Sequence, residues 1–265
     1  MIRLIVNADD FGWSPDVNDG IVHAHRKGIL TATTMMAGGA AFDDAVALAR
    51  GNSTLDIGCH LTLLQTTSVL TGQPLPLTLP DLLRAIALGR LYVYGELAAQ
   101  VRKIIAAGLA PTHLDTHKHT HILPVVASAV ARIVREFGIR WVRRPFDFGL
   151  TSGLPAWLMR TQKSGLQRKL RAVGAVSTEH FAGFALTGSL DEAAVLRLIS
   201  ELPEGTTELM CHPGFCRAEL MASTTRLKES REIELKALTS AAVREAIAAR
   251  GIELANYRLL TRMAP

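Results

Sequence analysis

The chain has 265 residues, 48% of them hydrophobic, enough to bury one α/β domain of barrel size, and no Ser/Gly/Pro linker, low-complexity tract or internal repeat divides residues 1–265. A formal charge of +5 with only 5% aromatic residues, and no interleaving of basic with aromatic side chains, argues against a nucleic-acid surface. Three cysteines are too few for a disulfide framework, the N-terminal apolar run is too short for a signal segment, and no stretch is long enough to cross a bilayer, so a soluble cytoplasmic protein is expected.

The first apolar run, RLIVNA (3–8), stops in two carboxylates, Asp9 and Asp10. Buried at a strand end, such a pair needs a cation or a role in acid/base chemistry, although one Asp capping the next helix is the simpler account. The triplet Asp10-Phe11-Gly12 also occurs in protein kinases, but nothing precedes it that forms a nucleotide lobe. A helix is expected over Val17 to Lys27, a strand over 31–38 and a helix over Phe42 to Arg50. In LDIGCHLTL (55–63), Asp56, Gly58, His60 and Thr62 share one strand face and apolar residues the other, which aims His60 toward a barrel mouth.

Helices follow over Gly95 to Ala107 and Pro124 to Phe137, on either side of the densest polar cluster, HLDTHKHTH (113–121). Along a strand His113, Asp115 and His117 face one way, and neutral imidazoles there are good ligands for a divalent metal. Spacing does not choose between His117 and His119. Strand IRWVRRP (139–145) brings Arg144, a partner for a mouth carboxylate or a plain surface arginine. In the segment 154–173, apolar Leu154, Trp157, Leu158, Leu166, Leu170 and Val173 alternate with basic residues, which suits peripheral contact with an anionic membrane surface or a lid over the barrel. After a helix over Leu190 to Leu202, the strand TTELMCH (206–212) ends in His212, a general-acid candidate before a Pro-Gly exit. A helix over Ile233 to Arg250 and a last strand over 252–257 complete about seven strand–helix units, the pattern of a parallel α/β barrel with its polar residues on the C-terminal rim. Asp and His at that rim point to metal-assisted amide or ester hydrolysis.

NADDFG (7–12), Gly20-Ile21, the GxH at 58–60, THLDTHKHTH (112–121) and HPG (212–214) together resemble, in order and across nearly the whole chain, the YdjC-like carbohydrate deacetylases, relatives of chitooligosaccharide deacetylase. The resemblance implies a NodB-like distorted (β/α) barrel that removes N-acetyl groups from amino sugars with one divalent metal ion, Mg2+ or Zn2+. By the same resemblance Asp10, His60 and His117 are the metal ligands, Asp9 the general base and His212 the acid. Arg144 orients the base, and Asp115, His119 and His121 are supporting or substrate-facing groups. Within the family the chain looks most like the hopanoid-biosynthesis-associated HpnK branch, which implies an N-acetylglucosaminyl hopanoid as substrate and a place at the inner membrane. The implied partner is an N-acetylated sugar or glycolipid; homo-oligomer formation stays open. Two other readings compete: a non-sugar amidohydrolase whose metal pair is His117 with His119, and a catalytically silent binding protein on a barrel scaffold.

Overall fold

The computed structural model describes residues 1–148 and 156–263. Strand β1 (Ile2–Phe11) runs into helix α1 (Pro15–Lys27), β2 (Ala32–Met35) into α2 (Phe42–Arg50), and β3 (Asp56–Leu61) into α3 (Leu79–Ala87) and α4 (Val93–Ala106). β4 (His113–Thr116) leads through a 3-10 turn (His117–Ile122) to α5 (Pro124–Phe137), and β5 (Trp141–Val142) precedes α6 (Ala156–Arg171). Then come β6 (His180–Ala182), α7 (Glu192–Glu201), β7 (Gly205–Cys211), α8 (Ala218–Ala222), α9 (Glu229–Thr239), α10 (Ala241–Ala249), β8 (Glu253–Leu254) and α11 (Tyr257–Met263). Local chemistry sets these limits: Ser14 caps α1 by accepting from Val17 N ahead of Pro15, and α5 ends at Gly138 in the left-handed conformation.

The strands pair in parallel in the order β5-β4-β3-β2-β1-β7-β6, with β8 alongside the start of β1. The sheet curls into a half-barrel, and the chain beyond β5 approaches the other edge strand, where Phe148 N–H donates to Phe181 O of β6 at 2.9 Å. This is the distorted barrel expected, with one large core between the sheet and the helices. A smaller cluster of Ile5, Ala32, Ala255, Tyr257 and Leu260 plugs the bottom of the barrel. Above that plug the inward positions of β1, β3, β4 and β7 are polar and buried, so these strands are buried on both faces for different reasons.

Several elements differ from the sequence reading. β6 is only three residues long and lacks a legible strand pattern; α3 follows a turn-rich loop and buries only Leu82. The long C-terminal helix is two, because Ser240 is extended (φ −62°, ψ 139°) between α9 and α10. The last strand shrinks to two residues because Asn256 Oδ1 accepts from Leu259 N and starts α11. Of the basic amphipathic stretch, Leu154 and the side chains of Trp157, Leu158, Arg160 and Lys163 lie outside the described residues. Leu166 and Leu170 are buried in the domain's own core, and Lys169 Nζ donates to Pro124 O and Ser128 Oγ on α5.

Candidate active site

Consecutive residues of a strand point to opposite faces, yet Asp9 and Asp10 reach the same site. A register irregularity between Ala8 and Phe11 against β2, with Asp10 in the left-handed region (φ 70°), turns the second carboxylate inward. The next turn is held by close glycine contacts: a Cβ at Gly39 falls 2.1 Å from Gly12 O, and one at Gly20 falls 2.4 Å from Gly214 Cα. The Gly20 contact seats α1 against the His212-Pro213-Gly214 exit of β7, which is why these distant motifs belong together.

The barrel interior is layered. Lowest, the His113 ring stacks on Tyr257 (centroids 3.9 Å apart) and donates through Nε2 to Asn7 Oδ1 at 2.9 Å. Gly58 makes room for it, since a Cβ there falls 2.6 Å from the His113 ring. The middle layer centres on Arg143, 2% exposed. Its Nη1 and Nη2 each lie 2.7 Å from an Asp9 oxygen, Nη1 lies 2.5 Å from Asp115 Oδ2, and Nε donates to Glu208 Oε1 at 2.8 Å. The guanidinium among the carboxylates is therefore Arg143, not Arg144, whose half-buried side chain leaves Nε without a partner among the described residues. The strand β5 is two residues long, so alternation has no run over which to establish which of two adjacent arginines turns inward.

The top layer is a triangle of donor atoms. Asp10 Oδ1 lies 3.4 Å from His60 Nε2 and 3.4 Å from His117 Nδ1, and the two imidazole nitrogens are 3.3 Å apart. Each histidine is oriented from behind. His60 Nδ1 sits 2.7 Å from Asp115 Oδ1, with Thr34 Oγ1 donating to the other Asp115 oxygen, and His117 Nε2 meets Gln65 Oε1 at 3.2 Å. With the far nitrogens donating to oxygens, the near ones turn lone pairs on the centre of the triangle.

Asp10 Oδ2 is taken by Arg231 from α9, while the buried Oδ1 has no hydrogen-bond partner among the described residues. A tetrahedral ion with bonds of about 2.1 Å separates its ligand atoms by about 3.4 Å, so the three donors fit a metal. A second acidic grouping, Asp9, His60 and Asp115, is already filled by Arg143.

Charge supports the same reading. Asp9, Asp10, Asp115, Glu208 and Glu234 are five buried carboxylates facing two buried guanidiniums, Arg143 and Arg231, which leaves three negative charges to offset. Without a cation, protons do that work. Burial opposes ionisation of His60, but Asp115, Asp9 and Asp10 outweigh it and raise its pKa to about 9; burial raises Asp115 and Glu208 against the pull of Arg143. Burial also acts on Asp9 and Asp10, but the guanidiniums of Arg143 and Arg231 hold both well below the usual carboxylate range. His212, 8% exposed, faces Asp9 Oδ2 at 3.9 Å, and burial lowers its pKa to about 4.

The remaining histidines stand apart from the triangle. Lys118 and His119 are both left-handed (φ 53° and 52°), which swings His119 away to pack on Phe181 and Phe184. His121 is a buried strut, accepting from Thr116 Oγ1 and donating to Arg143 O, with burial pushing its pKa down to about 3. The sequence reading missed Arg143, Glu208, Gln65, Arg231 and Glu234. The last two, buried on α9, hold Asp10 and the His212 backbone N–H, but in the charged run ESREIELK nothing marks them out.

Asp-Asp at a bulged strand end, GxH, and the first histidine of the 113–121 cluster after its Asp converge on one centre, and a model of the YdjC-like protein family matches residues 3–249. The chain belongs to the YdjC-like family. A carbohydrate deacetylase of Brevibacillus brevis (strain 47) is 31% identical over 268 residues, covering 97% of this chain and 98% of that one. A chitooligosaccharide deacetylase of Klebsiella pneumoniae (strain 342) is 34% identical over 271 residues, covering 96% and 98%. Among solved structures, a proposed cellobiose-phosphate cleavage protein from Enterococcus faecalis V583 superposes with a TM-score of 0.79 at 27% identity over 98% of both chains. An Agrobacterium tumefaciens C58 protein shares the fold at a TM-score of 0.54 and 14% identity, covering 98% of this chain and 89% of that one.

Proposed function

We propose that this YdjC-like chain is a metal-dependent carbohydrate N-deacetylase that hydrolyses the acetamide of an N-acetylglucosamine unit. The observation that carries the reading is the donor triangle of Asp10, His60 and His117 with the ionised Asp9 beside it, in a chain similar along its length to carbohydrate deacetylases. Two imidazoles and one carboxylate suit zinc better than magnesium, which prefers an all-oxygen set. A divalent ion at this triangle supplies Lewis acidity toward the amide carbonyl and makes water acidic enough to attack at neutral pH.

The chain's own residues handle the protons. Asp9, fixed by two hydrogen bonds from Arg143, accepts a proton as the water oxygen bonds to the carbonyl carbon. His212 is neutral beforehand, so the proton it delivers to the departing amine nitrogen is one relayed from Asp9 by a bridging water, the two groups being 3.9 Å apart. The C–N bond then breaks to give acetate and a free amine. Arg143 holds Asp9 aligned and favours its return to the ionised form once that proton has left.

The finer substrate assignment, an N-acetylglucosaminyl hopanoid, rests on the branch resemblance. The Klebsiella relative supports a free chitooligosaccharide as the second reading. Among the described residues no helix is long and apolar enough to cross a membrane. The buried Leu166 and Leu170 support a packing role for that part of 154–173. Acetate release should be measured with zinc or magnesium on N,N′-diacetylchitobiose and on an N-acetylglucosaminyl lipid. Asp9→Asn is expected to keep the metal and lose turnover, and His60→Ala to lose both; no acetate from either substrate with either metal overturns the reading. Accumulation of an N-acetylated glycolipid in cells lacking the protein would decide for the lipid.

A further inference from the structure

We propose that Phe184, backed by His119, is a sugar-stacking wall of the substrate site, contacting a pyranose ring of an N-acetylated oligosaccharide; the proposal rests on the deacetylase reading above. Phe184 stands on the rim just beyond the C-terminal end of β6 and is 48% exposed, although its backbone is tightly held. Gly183 has φ 116°, and a Cβ there falls 2.3 Å from Met210 O on β7, so only glycine lets the chain press this closely onto the neighbouring strand. Immediately after it, the Asp147 carboxylate accepts from Phe184 N at 3.0 Å and Ala185 N at 2.8 Å. A large ring is thus presented to solvent by a backbone with no freedom to bury it.

The ring does not stand in isolation. His119 lies 5.3 Å from it between centroids and also meets the fully buried Phe181 edge-on at 6.1 Å. Two consecutive left-handed residues, Lys118 and His119, are what place that imidazole there, directly after the triangle ligand His117. The buried His119 Nδ1 has no hydrogen-bond partner among the described residues. On the other side of the chain path, the half-buried Trp13 approaches the His117 ring to 6.0 Å. A half-exposed aromatic face at the rim, backed by an imidazole two residues beyond a triangle ligand, matches a pyranose, whose C–H face stacks on such a ring.

The test pairs turnover with binding. Phe184→Ala, Phe184→Leu and Phe184→Trp are compared with wild type for acetate release from N,N′-diacetylchitobiose and for its binding by calorimetry to the metal-free protein. Loss of the ring should raise KM and weaken binding about tenfold with kcat within about twofold, Leu should fail to restore it and Trp should restore it. Thermal melts check that each variant folds; the side chain is half exposed and its loop is held through the backbone, so all three should. Unchanged KM and binding in Phe184→Ala, equal performance of Leu and Trp, or no binding by wild type overturns the proposal. Wild-type binding that needs Phe184, with no acetate released from N,N′-diacetylchitobiose or from the N-acetylglucosaminyl lipid with either metal, supports the stacking wall and overturns the deacetylase reading alone.

Discussion

Replacing Arg143 by methionine removes the one guanidinium that joins three strands inside the barrel while keeping much of its apolar stem. Four short contacts go at once: two to Asp9, one to Asp115 and one to Glu208. All partners are at most 3% exposed, so none can turn to water. Truncating one side of a buried ion pair costs about 3–5 kcal/mol, and here the loss falls at the top of that range because three carboxylates share the cation. For a chain of this size that corresponds to a fall in Tm of about 10 °C or more. Urea unfolding followed by circular dichroism measures it, with Arg144→Met as the control, expected within about 0.5 kcal/mol of wild type. Arg143→Met should also abolish turnover, since Asp9 loses both its alignment and the charge that keeps it ionised. A loss below about 1 kcal/mol for Arg143→Met, or an equal loss for Arg144→Met, refutes the assignment of Arg143 as the electrostatic centre of the barrel.

Metal titration separates the two histidine assignments: His117→Ala should abolish zinc binding measured by calorimetry, whereas His119→Ala should retain most of it, and the reverse outcome would restore the His117–His119 pair. Stability of the metal-free protein should peak near pH 6.5. Burial lowers the pKa of His113, His119, His121 and His212, so below about pH 6.5 the unfolded chain binds protons the native state refuses and stability falls with pH, by about 1.4 kcal/mol per unit for each histidine. His60 runs the other way: its contribution is complete below about pH 6.5 and is lost as pH rises through about 9. Denaturant midpoints from pH 5 to 9 check both limbs, and a flat profile below pH 6.5 would contradict neutral burial of these four side chains.

Much of the barrel was legible because β1, β3 and β7 are long enough to display their pattern and because α2 and α5 match the expected limits residue for residue. β6 was not, since three residues carry no period, and the split at Ser240 was hidden by helix-forming sequence on both sides. For the candidate site, the polar face of Asp56, Gly58 and His60 and the inward pair His113 and Asp115 could be read from strand alternation, which ends at Thr116 before His117. Arg143 against Arg144, and His117 against His119, could not: one choice turns on a strand of two residues, the other on two left-handed residues in a turn.

The sequence alone determined the residue types delivered to the rim of a parallel barrel, because strand periodicity and local turn chemistry act over a few neighbouring residues. Only the tertiary structure decided which of them meet. The β1 bulge against β2 turns Asp10 inward, the curl of the sheet brings Arg143 to Asp9, 134 residues away in sequence, and the packing of α9 brings Arg231 to Asp10. Buried charges then had to find partners across the interior rather than along the chain, and no local pattern encodes such partners.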